Sequence, residues 1–219
     1  MPKAEETGNR ILDAALELFR EEGFDRTTMR DVAKKAGVAT GAAYYYYDSK
    51  EALVMDFYRR ASADMHPRIE AVLARRGLET RLRELIQVKL IHFAPNRSVL
   101  RALLRNGADP QYPLSPFSPE TQQIRDTDIA WFQRILIDCG TRIPKDLAPY
   151  LPRVLWLFQM GIIFFWVIDD STEQERTSRL LQAAAKTVAS LIRLSSLPLM
   201  RPLRKTALQL IEIVTGDRP

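Results

Sequence analysis

Residues 27–50 read TTMRDVAKKAGVATGAAYYYYDSK and specify two short helices with a glycine between them. Thr28 can cap the first helix, with Asp31 three residues later as its reciprocal partner. The apolar residues that fall on one face of this helix are Met29, Val32, Ala33 and Ala36. Gly37 follows where a left-handed residue ends a helix at the least steric cost. The chain is therefore predicted to turn sharply at Gly37.

A second helix is predicted over residues 39–47, because Asp48 and Ser49 then break the pattern. Ser49 can cap a third helix that begins at Lys50. A helix as short as the second is not stable alone in water. We therefore expect its neighbours to hold it in place and to present it to a partner. Small residues at its start admit a close backbone approach, and hydroxyl-tipped rings follow. This layout is typical of a helix-turn-helix that reads DNA.

Charged side chains around the second helix suit the same partner. Arg30 carries a five-donor fork that can span the acceptors of a guanine edge, and Lys50 at a helix N-terminus suits a phosphate. For the tyrosines, the alternative is that they only pack a small three-helix domain. That alternative is stronger for Tyr44 and Tyr47, at i and i+3, than for the two rings between them.

Several motifs occur together around this stretch. They are ILDAALELFREEGFDRTT at residues 11–28, AxxAGV at residues 33–38, Gly41, Tyr44, an aromatic at Tyr47, and SKEAL at residues 49–53. Over residues 9–53 the chain thereby resembles the N-terminal domain of the TetR family of bacterial transcription regulators. The resemblance implies a homodimeric, one-component repressor whose C-terminal helical domain binds a small effector and then releases DNA.

The resemblance also implies which residues contact DNA. By motif position they are Thr28, Arg30, Thr40, Gly41, Ala42, Tyr44, Tyr45, Tyr46 and Lys50. Ala39 departs from the family pattern, because a serine usually caps the recognition helix there. That cap is ordinarily worth about 1 kcal/mol, and Thr40 can substitute by starting the helix one residue later. Tyr46 stands where the family often has a histidine, so a phosphate contact there takes a different form.

The rest of the chain is predicted to be helical, since it contains no period-two runs or hairpin dipeptides. Helices are predicted over residues 52–75, 79–93, 98–105, 119–139, 147–168, 172–194 and 203–214. His66-Pro67 is expected to kink or split the first of these. The fold class is therefore all-α: an N-terminal three-helix helix-turn-helix DNA-binding domain, residues 1–50, on a larger helical effector-binding and dimerisation domain, residues 51–219.

Charge and composition agree with a polyanionic partner without identifying it. The 219 residues carry a net charge of +5, with a pI near 9.4. The first helix is acidic, and the balance turns basic only over residues 26–50. A DNA-binding face is therefore local, and we expect affinity for DNA to fall steeply with salt.

No catalytic or metal-binding constellation is apparent in the sequence. His66, His92 and Cys139 lie on separate predicted helices, so nothing has the spacing of a nucleophile with its base or of a metal cluster. We therefore predict no enzyme activity, no cofactor and no metal. The single cysteine and the absence of an apolar stretch near the N-terminus predict a cytoplasmic protein without a signal peptide.

Residues 154–168, VLWLFQMGIIFFWVI, form the most apolar segment. It is shorter than the roughly 20 residues that a membrane-spanning helix needs. A helix that is apolar all round is instead expected to be buried by its own domain and by a second subunit. With the helix that follows, it predicts half of a four-helix dimer bundle. The predicted interface residues are Leu155, Phe158, Ile162, Phe165, Leu181, Ala184, Val188 and Leu191.

Two charges lie at the centres of inward-facing helical arcs: Lys89 and Asp128. Each needs a partner, because a buried lone charge is costly. They can pair with each other, or Lys89 can extend its ammonium to solvent. Alternatively one of them anchors an effector in a mostly apolar pocket, where Lys89 favours an acidic and Asp128 a cationic molecule.

The proline-rich segment over residues 106–119 is either a passive connection or a lid over such a pocket. The candidate ligand-binding residues are Lys89, His92, Phe93, Tyr112, Phe117, Asp128, Trp131, Phe132, Ile135 and Gln159.

The sequence therefore predicts a homodimeric regulator that binds a near-palindromic double-stranded DNA operator and is released by a small-molecule effector. Two alternatives stay open. One is a DNA-binding protein of the same fold with an architectural or cell-division role and no effector. The other is an activator, because sequence does not fix the sign of regulation.

Overall fold

The computed structural model describes residues 2–137 and 139–215, which form ten α-helices and no β-strand. In chain order the helices are α1 (Pro2–Glu21), α2 (Met29–Ala36), α3 (Thr40–Tyr46), α4 (Lys50–Leu73), α5 (Leu78–Phe93), α6 (Arg97–Leu103), α7 (Gln122–Leu136), α8 (Leu151–Ile168), α9 (Glu175–Ser195) and α10 (Arg201–Thr215). The predicted all-α fold class is confirmed.

Prolines account for the main differences from the predicted helix boundaries. α8 begins at Leu151 rather than at residue 147, after hydrogen-bonded turns over residues 144–150. Pro152 then lies in its first turn, where a missing N–H leaves no hydrogen bond unmade. α7 likewise begins after Pro119, at Gln122. α4 runs through Pro67 as one helix, so of the predicted kink or split the split does not occur.

The chain divides into two compact units. The first contains residues 1–66 and 91–125, and the second contains residues 67–90 and 126–219. Three helices, α4, α5 and α7, have residues in both units. The predicted domain boundary after residue 50 lies at the start of α4, inside the first unit, and stays a prediction.

The core of the first unit joins the three N-terminal helices to α4 and α6. Its buried members are Ile11, Leu12, Ala15, Leu18, Phe19, Phe24, Met29, Val32, Ala33, Ala43, Tyr47, Leu53, Val54, Phe57, Val99, Leu103 and Leu114. Arg20 of α1 also donates to the side chain of Asn96, just before α6, at 2.7 Å. The packing of the N-terminal helices therefore depends on residues far along the chain, 76 positions away in the pair of Arg20 and Asn96.

The proline-rich segment over residues 106–119 is free of α-helix, as predicted. Tyr112 and Phe117 are half-buried, and Tyr112 packs against the core of the first unit. The buried hydroxyls of Ser115 and Thr121 each donate to a backbone carbonyl at 2.7 Å. These contacts support a fixed connection, and the lid alternative stays a prediction.

The second unit contains α8, which is long and apolar enough by length and composition to cross a membrane, although half of it is buried within the chain. Ile162 of α8 packs with Ile86 of α5 and Leu181 of α9. A soluble core helix meets the same criteria of length and composition, and this burial favours that interpretation.

One buried carboxylate fixes the start of α9. The side chain of Asp169 has no exposed surface and accepts from the backbone N–H of Thr177 at 2.9 Å and from its hydroxyl at 2.6 Å. It also accepts from the backbone and hydroxyl of Ser171 at 3.0 and 2.7 Å. Burial alone would raise the pKa of Asp169, but hydrogen bonds from Thr177 and Ser171 outweigh it and lower the pKa well below its usual range.

Candidate nucleic-acid interface and effector site

The first helix of the helix-turn-helix, α2, is capped as its sequence predicts. The Thr28 hydroxyl oxygen accepts from the backbone N–H of Asp31 at 3.2 Å, and the Asp31 carboxylate accepts from the backbone N–H of Thr28 at 3.0 Å. The Thr28 hydroxyl also donates to that carboxylate at 2.5 Å. These hydrogen bonds lower the pKa of Asp31. Because the Thr28 hydroxyl is used in the cap, its remaining capacity toward DNA is as an acceptor.

The turn between α2 and α3 follows the prediction at Gly37. Its φ is +67°, and its N–H donates to the carbonyls of Ala33 and Lys34. Val38 then packs against the core, and its backbone N–H donates to the carbonyl of Ala33 at 3.0 Å. α3 begins at Thr40, with Ala39 at the N-cap and no side-chain hydrogen bond there. The substitute cap predicted for Thr40 is therefore wrong, and no side chain caps the start of α3.

The last tyrosine of the run, Tyr47, belongs to the core. Its hydroxyl donates to Asp56 of α4 at 2.7 Å and accepts from Arg60 at 3.2 Å. Arg60 also pairs with Asp56 at 2.8 Å. Burial and the adjacent Asp56 raise the pKa of Tyr47 to about 12. This network joins α4 to the end of the helix-turn-helix, and the spacing of Asp56 and Arg60 at i and i+4 was its available sequence signal.

The other three tyrosines lie within α3 and differ in their exposure. Tyr45 is 85% exposed and Tyr44 is 52% exposed. Tyr46 is half-buried, packs against the core, and meets the Tyr45 ring edge-on at a centroid distance of 5.4 Å. Tyr47 is therefore buried as the packing alternative expects, whereas Tyr44 is not. Two large rings therefore stand in solvent with their hydroxyls free to approach a partner.

The first half of α3 leaves its backbone accessible to a partner. Thr40 and Gly41 are exposed, and Ala42 is half-buried. A Cβ built at Gly41 would find no atom within 4 Å, and its φ is not in the left-handed region. Nothing inside the chain therefore requires glycine at this position, whereas a partner approaching the backbone closely would.

The basic residues near α3 differ in their availability. Arg30 and Lys34 are exposed on α2. Lys35 is not free for DNA, because its ammonium pairs with Glu17 at 3.0 Å and Glu21 at 2.9 Å on α1. These acidic partners raise the pKa of Lys35.

Lys50 also differs from its predicted role as a phosphate ligand. Its ammonium donates to the carbonyl of Phe24 at 2.8 Å and to that of Asp25 at 3.4 Å, and it lies 4.6 Å from the centre of the Phe24 ring. These carbonyls follow the end of α1, where no helical N–H reaches them. An ammonium has three donors, so one donor of Lys50 remains.

Lys89 and Asp128, the two inward-facing charges, meet in the second unit. The Lys89 ammonium lies 2.5 Å from an Asp128 oxygen, and Gln159 of α8 donates from Nε2 to the other oxygen at 3.0 Å. Lys89 and Gln159 are buried. The structure therefore agrees with the pairing alternative. Whether the cluster also meets a ligand stays a prediction.

The remaining candidate ligand residues fall into both units. Trp131, Phe132 and Ile135 are buried on α7 in the second unit. His92, Phe93, Tyr112 and Phe117 belong to the first unit, where Phe93 packs edge-on against Phe57 and Tyr58 of α4. Among the residues that the structure describes, no group of His, Cys, Asp and Glu is arranged to hold a metal ion.

Three predicted dimer-interface residues lie in the chain's own core. Leu155 is 1% exposed, and Ile162 and Leu181 are each 4% exposed, so they have almost no surface left for a partner. Phe158, Phe165, Ala184 and Val188 are half-buried, and Leu191 is exposed. The prediction is therefore wrong for Leu155, Ile162 and Leu181.

Including Leu191, five large apolar residues are exposed on the same two helices. They are Leu157 and Ile168 on α8 and Leu180, Leu191 and Leu194 on α9. The sequence signal for this outer face was Arg153, one helical turn before Leu157, because a charge marks the solvent side of an otherwise apolar helix.

Two family models match this chain, one near its N-terminus and one over most of the remainder. Residues 11–56 match the family model described as "Bacterial regulatory proteins, tetR family". Residues 81–207 match the model described as "Tetracyclin repressor-like, C-terminal domain".

Curated relatives match over shorter lengths. The transcriptional repressor KstR2 of Rhodococcus jostii is 35% identical over 86 residues, which are 36% of this chain and 42% of that protein. The uncharacterized regulator YerO of Bacillus subtilis is 26% identical over 154 residues, 65% of this chain and 50% of that protein. The chain thus spans half the length or less of these relatives.

Solved structures match over most of the chain. A transcriptional regulator from Syntrophomonas wolfei has a TM-score of 0.66 at 22% identity, covering 85% of this chain and 96% of that one. FadR from Bacillus subtilis, solved in complex with stearoyl-CoA, has a TM-score of 0.63 at 16% identity, covering 83% and 97%. At these identities the likeness shows the fold.

Proposed function

The chain belongs to the TetR family of bacterial regulatory proteins, and on that premise we propose that it represses transcription as a homodimer that a small effector releases from its operator. Transcription regulation is the activity of the family as a whole. The near-palindromic operator, the dimer and the effector are the parts proposed for this chain. A regulator that meets its operator in a bacterial cell acts in the cytoplasm.

One observation carries the proposal: the exposed side of α3 has no role inside the chain. Gly41 contacts nothing at its Cβ position, and Tyr45 is 85% exposed. Two exposed aromatic rings beside an open stretch of backbone favour a surface that a partner covers. The capped α2 and the left-handed Gly37 hold that helix in a fixed place.

The contacts proposed for DNA use this exposed side of α3 and its neighbours. Thr40, Gly41 and Ala42 let the N-terminal end of α3 enter the major groove, where recognition helices read base edges. Arg30 reaches a guanine edge, and Tyr44, Tyr45 and Tyr46 contact phosphates and bases through their hydroxyls. Lys50 contributes through its remaining donor, and the Thr28 hydroxyl through its acceptor capacity.

A dimer gives these contacts their spacing. Two recognition helices bind successive major grooves about 34 Å apart on a near-palindromic site. The exposed apolar residues of α8 and α9, among them Leu157 and Leu191, supply a self-complementary surface for a four-helix interface. Phe158, Phe165, Ala184 and Val188 contribute their half-buried surface to it.

A small effector is proposed for the helical C-terminal part. FadR from Bacillus subtilis was solved with stearoyl-CoA, a molecule with a long apolar chain. By analogy, a small molecule with an apolar part is proposed to bind this chain and to shift α4, which begins directly after the helix-turn-helix. A coupling of about 1–3 kcal/mol is the ordinary scale for such linkage.

Selection of bound duplexes from a random DNA pool tests the proposal. We expect enrichment of one near-palindromic site. Arg30→Ala and Tyr45→Ala should each weaken binding to that site by about 1–3 kcal/mol if they read a base edge. Arg68→Ala is the matched control, because Arg68 is exposed on α4 in the second unit.

The outcomes separate the alternatives. No enrichment of any site would contradict sequence-specific binding. Equal losses on selected and random DNA would assign Arg30 and Tyr45 to phosphates. Tight DNA binding that no metabolite alters would favour a role without an effector, and activation of a reporter downstream of the site would reverse the sign of regulation.

A further inference from the structure

The polar cluster of the second unit is buried in an apolar surrounding. Lys89 is 3% exposed and Gln159 has no exposed surface. The helical neighbours of Gln159 one turn away on either side, Leu155 and Ile162, are also almost fully buried. Polar groups in such a place are expected to have every hydrogen bond made.

One of these hydrogen bonds is missing. Within residues 2–137 and 139–215, the side-chain oxygen Oε1 of Gln159 is buried and accepts no hydrogen bond. Its Nε2 donates to Asp128 at 3.0 Å. The reverse orientation would place the amide oxygen against a carboxylate oxygen, so the chemistry fixes Oε1 on the side away from Asp128. An unsatisfied buried acceptor is costly and calls for a specific explanation.

The charges of the cluster are already balanced. Lys89 and Asp128 form an ion pair at 2.5 Å, and Gln159 holds the second oxygen of the carboxylate. Because the pair is neutral, an anionic molecule would add a second negative charge beside Asp128, and a cationic one would add a second positive charge beside Lys89. Either would bury a charge that has no partner of its own, which is strongly unfavourable.

We infer that Gln159 Oε1 is the hydrogen-bond acceptor of an effector site that takes an uncharged, largely apolar molecule with one O–H or N–H donor. The inference rests on the proposed function, because it names the chemical class of the proposed effector. The donor of the molecule satisfies Oε1, and its apolar part contacts the aliphatic and aromatic side chains around α5, α7 and α8.

The helices that hold the cluster lead to the candidate DNA-binding part of the chain. Lys89 lies one helical turn before Phe93 on α5, and Phe93 packs against Phe57 in the core of the first unit. Asp128 follows Arg125 by three residues on α7. Two helices that hold the cluster, α5 and α7, therefore also have residues in the first unit.

Matched probes test the chemical class. The probes are straight-chain 1-alkanols of six to twelve carbons, the methyl ethers of the same alkanols, and the carboxylates and amines of the same length, with binding measured by isothermal titration calorimetry. We expect saturable binding of at least one alkanol, with its methyl ether, carboxylate and amine at least about tenfold weaker, because a site built around a polar contact rejects analogues that lack it.

A substitution tests the residue. Gln159→Met keeps the length of the side chain and removes the acceptor together with the Nε2 donor to Asp128, so the preference for the alkanol over its ether should fall in this variant. Gln87→Met is the control, because Gln87 is exposed on α5. The wild-type comparison of alcohol with ether does not depend on whether the variant folds.

Three results would overturn the inference: an ether that binds as tightly as its alkanol, a carboxylate or amine that binds more tightly than the alkanol, or no saturable binding of any alkanol. The proposed function fails separately. If the DNA selection enriches a site while no alkanol binds, only the effector class is wrong. If an alkanol binds while no DNA is selected, the regulatory function is wrong.

Discussion

Gly41→Ala should make the protein more stable and its DNA complex weaker. A methyl group at residue 41 would meet no atom of the chain within 4 Å, and the backbone there is not left-handed. Alanine at such a position reduces the entropy of the unfolded chain and raises the free energy of unfolding by about 0.4–1 kcal/mol. Urea unfolding followed by circular dichroism measures this change as a shift in midpoint with an unchanged slope.

The DNA effect of Gly41→Ala has the opposite sign. If the backbone of α3 approaches the groove at Gly41, a methyl group enters a packed interface and costs about 1–3 kcal/mol, as extra methyl groups do in well-packed cores. That is a loss of about 5- to 150-fold in affinity for the selected duplex. Fluorescence anisotropy with the selected duplex and with a scrambled duplex separates this loss from general electrostatic binding.

Gly37→Ala is the matched control, because it makes the same change four residues earlier. A Cβ there would also meet no atom within 4 Å, but φ is +67°. The left-handed conformation costs a residue with a Cβ about 1–2 kcal/mol, so this variant should be less stable. Unchanged DNA affinity in Gly41→Ala would refute the close approach at α3. A less stable Gly41→Ala would refute the claim that nothing inside the chain requires this glycine.

Three further predictions concern buried polar groups. Tyr47→Phe should lower stability by about 1.5–3 kcal/mol, because it removes a hydrogen bond to the charged Asp56. The pKa of Tyr47 in the folded protein is raised to about 12, so the stability that this hydrogen bond contributes should persist below pH 10 and be lost as pH rises towards 12. The variant should show no such loss, and unfolding curves at alkaline pH measure the difference. Asp169→Asn should lower the free energy of unfolding by about 1.5–3 kcal/mol at neutral pH. Because the pKa of Asp169 is lowered in the folded protein, the difference in stability between wild type and variant should shrink as pH falls below about 4, as urea unfolding can measure. Lys89→Met should destabilise by about 3–5 kcal/mol, and adding Asp128→Leu should restore much of the loss in thermal unfolding, whereas an additive double variant would contradict the pairing.

Signals that act within a few residues could be predicted from the sequence. The reciprocal cap of Thr28 and Asp31 and the left-handed Gly37 depend only on local spacing, and the structure contains both. Ser49 likewise accepts from the backbone N–H of Ala52 at 3.1 Å at the start of α4. Boundaries near proline were less predictable, because a proline fits both a preceding turn and the first turn of a helix.

The tyrosine run shows how a small boundary shift changes a site. Tyr44 and Tyr47 share a face only if the helix includes both. α3 ends at Tyr46, and Tyr47 is extended, with φ −143° and ψ 116°. Tyr47 therefore turns into the core while Tyr44 stays 52% exposed. Helical periodicity placed the two rings together because the pattern does not show where the helix ends.

For the apolar helix α8, helical periodicity failed to identify the buried face for another reason. Periodicity identifies a buried face by contrast with polar residues, and this segment offers almost no contrast. Leu155 and Leu157 are equivalent by hydropathy, yet the first is 1% and the second 40% exposed. Only contacts with residues distant in sequence, such as Ile86 with Ile162, decide which face turns inward.

The inward charges on α5 and α7 show what the structure adds to a correct pattern. Helical arcs placed Lys89 and Asp128 on inner faces, but they left an acidic, a cationic or no effector equally consistent with the sequence. Pairing at 2.5 Å uses both charges and removes the reason to expect an ionised effector at this place. What remains is the carbonyl oxygen of Gln159, a neutral acceptor within the apolar helix α8. The chemistry of the proposed effector therefore follows from the hydrogen bond that the chain leaves unmade, and no periodic pattern in the sequence could have revealed it.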